Sequence, residues 1–449
     1  MQKEIRRELI RLALPLIASN ILQQLYQAVD ALILARYVGA DAFAASGVAS
    51  APLNLLFAIV GLCGGFSVLF ARYYGAGDES AFRRQHFHSL ALGLCLSGFL
   101  CLATISFQGP LLLLLKTPEE LREGVGVYLL LVAGALPASF LYNLYATILR
   151  SAGRTKECLH ILLVSLLANV FLDYLLVAVL SMGIAGAAFA TALCQLLSAV
   201  LAMATVWKKE RRLFFTKKER SLNLAVLKMT LSFGLIGGLH QASLYIGKLF
   251  VQGAINSLGT EAILAFTAAG RLEGFANSIG DSGACATSIV VAQAYGAGDK
   301  GKIRETFRVS LLLLALLGSV LGLLLFFASP AALPLLIDGQ RTRALLLATR
   351  YLRLIAPFYV LCFTGNTFAG YFDGVQKVTI TFIGALSHIT LRAILTNLFI
   401  QRGGLSSVAL FTGLGWLLVN LFWESVRRFH GSCHGAPVSL ARKSRGASI

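Results

Sequence analysis

Charge is scarce in this chain. Asp, Glu, Lys and Arg supply 13% of its 449 residues against 57% hydrophobic types, too little polar surface to cover the core of a soluble protein this long. A mean hydropathy of +0.75 points instead to an integral membrane protein. Disulfide and metal spacings are also lacking. The eight cysteines, at 63, 95, 101, 158, 194, 285, 362 and 433, fall almost all in or beside apolar stretches and read as small reduced packing residues. Neither an HExxH pair nor a GxSxG turn occurs, so no enzyme is expected. No basic patch is interleaved with exposed aromatics, which argues against a nucleic-acid partner despite a formal charge of +18. The first apolar stretch lacks the small-residue cleavage site of a signal peptide, so that helix is expected to stay in the mature protein.

What is abundant is apolar length. Stretches able to span a bilayer recur near residues 12–36, 46–72, 86–108, 125–149, 158–180, 184–207, 230–256, 266–294, 307–328, 349–372, 377–400 and 405–424. They are continuous and rich in Leu, Ala and Gly, not alternating as spanning strands would be. The expected fold class is an all-α integral membrane protein with twelve transmembrane helices. Basic residues cluster after spans two, four, six and eight: Arg83 and Arg84; Arg150, Arg154 and Lys156; "KKERRLFFTKKER" from Lys208 to Arg220; and Lys300, Lys302 and Arg304. Basic loops tend to remain cytoplasmic, so both termini are expected there, with the excess charge facing anionic lipid. The loop after span nine, with Arg341, Arg343 and Arg350, breaks the pattern.

An internal repeat organises the chain. "RYYGAGDESAFRR" from Arg72 returns as "QAYGAGDKGKIRE" from Gln293, the shared "YGAGD" displaced by 221 positions. "YVGADAFAASGVA" from Tyr37 lines up with "SLGTEAILAFTAA" from Ser257 at 220, and Tyr128 to Asn143 with Tyr351 to Asn366 at 223. This divides the chain into an N-terminal lobe (1–207), a basic cytoplasmic linker (208–229), a C-terminal lobe (230–428) and a basic cytoplasmic tail (429–449). Six spans return the chain to the side it entered from, so the lobes would be related by a pseudo-two-fold axis along the membrane normal. Two such lobes enclose a cavity that can open to either face, as a secondary transporter requires.

Buried polar residues mark the candidate site, because a charge in hydrocarbon is costly and usually faces a cavity, a partner or an ion path. Asp30 lies in span one; Asn169 and Asp173 lie four residues apart on one face of span five; Thr191 lies in span six. Two carboxylates, an amide and a hydroxyl at similar depth could hold Na+ or, with one carboxyl protonated, H+. The bland alternative is ordinary interhelical hydrogen bonding, with each acid paired to a base such as Arg36. Pro15 in span one could supply a bend, static or protonation-dependent. Glu273 and Asp281 in "RLEGFANSIGDSGA" are secondary candidates in the C-terminal lobe, against an Arg271–Glu273 pair and a polar helix contact. Lys248 and Arg392 stand in apolar spans and could face the cavity. His160 and His388 read as packing residues. In the tail, His430, Cys433 and His434 are close together, which fits either a flexible basic tail or a metal-binding group.

The two six-helix halves, the paired "YGAGD" loops, "LPLIASNILQQLYQAVD", "ANVFLDYLL" and "MGIAGAAFAT" together resemble the multidrug and toxic compound extrusion (MATE) transporters, over essentially the whole chain to about residue 428. The likeness is nearest the prokaryotic branch that includes the DNA-damage-inducible protein F transporters. That resemblance implies a monomeric antiporter in the bacterial cytoplasmic membrane. It would export organic, often cationic amphipathic compounds in exchange for H+ or Na+, with no other cofactor. It carries the cation site onto Asp30, Asn169, Asp173 and Thr191, the bending proline onto Pro15, and further polar residues onto Tyr128 and Asn143. Span seven lacks the acid that other branches carry there. Asn143 lies toward the cytoplasmic end of span four and is expected only to line the cavity. A flippase for lipid-linked sugars is the alternative, since a basic cavity with Lys248 and Arg392 would suit a pyrophosphate.

Overall fold

The computed structural model describes residues 1–38, 53, 62–114, 119–336 and 341–433. The described chain is nearly all helix. The first half holds α1 (Gln2–Tyr37), α2 (Leu62–Gly75), α3 (Glu79–Ser106), α4 (Gln108–Leu114), α5 (Glu119–Gly134), α6 (Leu136–Ser151), α7 (Thr155–Asp173) and α8 (Gly183–Lys209). The second holds α9 (Leu224–Asn256), α10 (Thr260–Gly296), α11 (Lys300–Ala332), α12 (Thr342–Ile355), α13 (Tyr359–Gly374) and α14 (Val378–Cys433). Gly404, at φ 55° and ψ −148°, breaks α14 into two helices, and that break falls between the last two expected spans.

Six of the described segments are long and apolar enough to cross a membrane, or seven if the bent pair α5–α6 is one span. The chain is a multi-pass membrane protein, but fewer helices qualify than the twelve expected. Two of those twelve are merged in α14, and residues 46–52 and 54–61 of the second lie outside the described residues. α1, α9 and α10 have 36, 33 and 37 residues, yet polar side chains such as Asn20, Gln24, His240, Gln241, Glu273 and Asp281 dilute their hydropathy.

The glycines and the aspartate of each "YGAGD" copy have distinct structural roles. Gly77 and Gly298 adopt φ 67° and 75°, the left-handed turn that glycine enters without strain. Asp78 then caps α3 by accepting from the Ala81 N–H at 2.9 Å, and Asp299 caps α11 by accepting from the Lys302 N–H at 2.8 Å. The first glycine of each copy lies where α2 and α10 cross: a methyl on Gly75 would strike the Gln293 carbonyl, and one on Gly296 the Arg72 carbonyl. α6 and α13 have the same length and begin and end 223 positions apart, followed by Gly153 and Gln376 at φ 76° and 65°.

Around that crossing the basic loops converge, and they are tied down. Arg72 Nη1 donates to Gln376 Oε1 at 2.7 Å, and Gln293 Nε2 to the Ser151 carbonyl at 2.7 Å, so each half grips the other. The segment read from sequence as a linker is clamped to the first half. Arg154 pairs with Glu210 at 2.7 Å, Arg212 with Glu79 at 3.2 Å and Arg83 with Glu219 at 3.2 Å, while Leu213 is buried and Phe214 stacks on Tyr145. At the loop that broke the charge pattern, Arg341 pairs with Glu261 at 3.2 Å, so an acid at the start of α10 compensates it.

Two large apolar clusters hold the halves. In the first half, Phe66, Phe70, Phe82 and Phe140 interlock; in the second, Ala262, Ala265, Ala268 and Ala269 on α10 admit Tyr351, Tyr359 and Phe363. Small residues of this kind let helices approach closely where lipid offers no hydrophobic drive to associate.

Candidate functional site

Two polar regions stand out. The first is where α1, α7 and α8 pack together. Asn169 and Asp173, one turn apart on α7, are 1% and 0% exposed, and Thr191 on α8 is 8% exposed. Neither polar atom of the Asn169 amide makes a hydrogen bond of good geometry among the described residues; the Cys194 thiol, a weak partner, is within its reach. A buried amide left unpaired is destabilising by about 1–3 kcal/mol, so it signals a place for water or an ion. The Cys194 thiol lies beside both Asn169 and Asp173, one turn along α8 from Thr191. Immediately after Asp173, Tyr174–Val179 form a π-helical turn, with the Leu180 N–H bonded to the Leu175 carbonyl at 2.9 Å. Such turns insert one residue into a helix and recur at functional sites.

Asp30 lies on α1, but its side chain is outside the described residues. One turn earlier on the same helix, the Tyr26 hydroxyl donates to Thr191 Oγ1 at 3.3 Å and ties α1 to α8. Sequence reading passed over Tyr26; its position four residues before Asp30, hence on the same face, was the available signal. Pro15 is buried within α1, which continues helically through it, and the Ser19 hydroxyl donates to the Pro15 carbonyl at 2.8 Å. Tyr128 packs with Leu112, Val125 and Leu129. The tail side chains of His430, Cys433 and His434 lie outside the described residues.

The second region is a cavity of about 690 Å³ between the halves, walled by α2 and α6 on one side and by α9, α10, α13 and α14 on the other. Asn143 lines it, as does Asn366 at the repeat-related position. Asp281 lines it too, within reach of the Lys248 charge on α9. Two charged residues in the wall were missed. The sequence groups Arg150 with loop charges, yet it sits on the last turn of α6 and faces the cavity; Asp373 occupies the matching place on α13. Extending the Tyr128–Tyr351 alignment a further seven residues beyond Asn143 pairs Arg150 with Asp373 at the same displacement of 223.

Lys248 and Arg392 are absent from the cavity lining described. The Lys248 ammonium lies 5.5 Å from the Tyr245 ring centre, and Arg392 acts on Glu273. Glu273 accepts from the Tyr351 hydroxyl at 3.1 Å and the Tyr359 hydroxyl at 3.3 Å, so its partners come from α12 and α13 and not from Arg271. His388 lies along the ring of Trp416, with centroids 6.1 Å apart.

A helical membrane bundle with a cavity between two halves and a buried polar cluster inside one of them defines a transport protein. The MatE family profile matches residues 15–175 and again 237–398, two segments whose starts lie 222 positions apart, and the chain belongs to that family of transporters. It is 28% identical over 355 residues to the probable multidrug resistance protein YoeA of Bacillus subtilis (strain 168), covering 77% of this chain and 76% of that protein. It is 26% identical over 436 residues to the probable multidrug resistance protein NorM of Burkholderia mallei (strain ATCC 23344), covering 94% and 91%. Its fold superposes on a crystal structure of MATE in complex with MaL6 with a TM-score of 0.89 at 21% identity, over 96% of this chain and 97% of the other.

Proposed function

We propose that this protein is a secondary antiporter that exports organic, often cationic amphipathic compounds in exchange for H+ or Na+. It works as a monomer of twelve spans in two lobes, with both termini cytoplasmic. The observation that carries the reading is the poorly satisfied, buried Asn169 amide beside Asp173 and across from Thr191. An exchangeable cation or its water would complete these groups, together with Asp30 on α1. Binding there would draw α1 against α7 and α8. The Tyr26–Thr191 bond would transmit that tightening to the helix that also bonds α10 through Asn20 and Gln24. Coupling needs the ion to prefer one arrangement; a tenfold preference is about 1.4 kcal/mol. The names of the multidrug-resistance relatives support organic compounds as cargo. A flippase for pyrophosphate-linked lipids is the less favoured reading, because the named relatives are multidrug resistance proteins.

The test is dye efflux from proteoliposomes under separately imposed pH and Na+ gradients, comparing the parent with Asp30→Asn and Asn169→Ala. Gradient-driven efflux in the parent, lost in folded variants, supports the reading and identifies the ion. Undiminished coupling in both variants refutes this site and turns attention to Glu273 and Asp281.

A further inference from the structure

The two missed charges share a geometry that the efflux reading does not use. Arg150 and Asp373 end repeat-related helices, α6 and α13, at the same register, and both line the central cavity. The Cys285 thiol on α10 lies within electrostatic reach of Arg150, Asp373 and Asp281, so the opposite charges flank one region of the cavity from its two sides. No ion pair joins Arg150 to either acid among the described residues; its guanidinium donates to the Thr147 hydroxyl at 3.0 Å within its own helix. Asp373 has the Thr381 hydroxyl beside it. Asp281 is partly offset by Lys248, whereas no basic side chain among the described residues acts on Asp373. The repeat that would make the walls alike has inverted their sign.

Charges left apart in a poorly solvated space attract complementary charges strongly. A simple cation would satisfy Asp373 and be repelled by Arg150; a simple anion would meet the reverse. We propose that the cavity selects amphipathic zwitterions, holding an anionic group against Arg150 and a cationic group against Asp373 and Asp281. This rests on the efflux reading and assigns its substrate class and orientation. The neutral polar groups Asn143 and Asn366 and the indole of Trp416 line the space between and around these poles.

The probe is one xanthylium dye in two forms, the free carboxylate and its methyl ester, which differ only in the anionic group. Fluorescence anisotropy with the protein in nanodiscs measures affinity, and gradient-driven movement in proteoliposomes is followed in parallel. The parent is expected to bind the carboxylate form about tenfold or more tightly than the ester. Arg150→Gln should bring that ratio to about one, Arg150→Lys should keep a preference, and Asp373→Asn should weaken both forms. Equal affinity for the two forms in a protein that still moves both overturns the inference and leaves the efflux reading standing. Retained preference in folded Arg150→Gln also overturns it. If neither form is moved under any gradient, the efflux reading fails and takes this assignment with it. Should Arg150→Gln not fold, the parent ratio and the Lys variant still decide.

Discussion

The crossing of α2 and α10 should behave as a latch that only glycine permits. A methyl added at Gly75 would overlap the Gln293 backbone, and backbone cannot swing aside as a side-chain tip can. Overpacking of this kind is destabilising by about 1–3 kcal/mol. The strain exists only while the two helices touch, so Gly75→Ala should lower the population of this packed arrangement by roughly 5- to 150-fold. The assay places spin labels at Ser80→Cys and Gly301→Cys, exposed positions on either side of the crossing, in a variant without native cysteines. Pulsed dipolar measurements should show a longer-distance population in Gly75→Ala, and again in Gly296→Ala, which strikes the Arg72 carbonyl from the other side. The double variant should add less than the sum, because both methyls strain one contact. Gly64→Ala on the same helix is the control, since an added methyl there meets nothing within 4 Å. An unchanged distance distribution in both crossing variants would refute the reasoning. Loss of folding without opening would mean that the crossing is obligatory packing and not a separable latch.

Two further outcomes follow from local chemistry. Asn169→Leu removes a poorly satisfied buried amide, so stability to thermal unfolding should be unchanged or raised, by at most about 1–3 kcal/mol, while ion-driven efflux is lost; lower stability with retained efflux would make Asn169 ordinary core. At the clamped segment, the Thr216 hydroxyl bonded to Glu219, helped by Arg83, holds the Glu219 carboxyl below its ordinary value. Its folded pKa is depressed, so the clamp is complete above the ordinary glutamate value and weakens as pH falls through the lowered one. Limited proteolysis between Lys208 and Arg220 should therefore accelerate on acidification through that window in the parent. Glu219→Gln should show a smaller acid response, and identical profiles would refute the sign.

Much of the site was readable because helical periodicity is local. Asn169 and Asp173 four apart, and Thr191 after a short turn, fall on facing surfaces of α7 and α8 whatever the rest of the bundle does. Arg150 and Lys248 were harder. A basic residue near a helix end looks the same in sequence whether it meets lipid headgroups, water or a cavity, and only packing of α6 against the other half turned Arg150 inward while Lys248 came to lie beside Tyr245. The π turn after Asp173 carries no proline or glycine to announce it.

The chain by itself determined that its long apolar runs would be helices, since hydrocarbon leaves backbone groups no partner but their own helix. It likewise determined the "YGAGD" turns and caps, which depend on residues within one turn of each other. Tertiary structure alone decided that Gly75 meets Gln293 and Gly296 meets Arg72, that Tyr26 reaches Thr191, and that Arg150 and Asp373 face one cavity. Each of those relations joins residues far apart along the chain, and its geometry is set by how whole helices pack rather than by any local pattern.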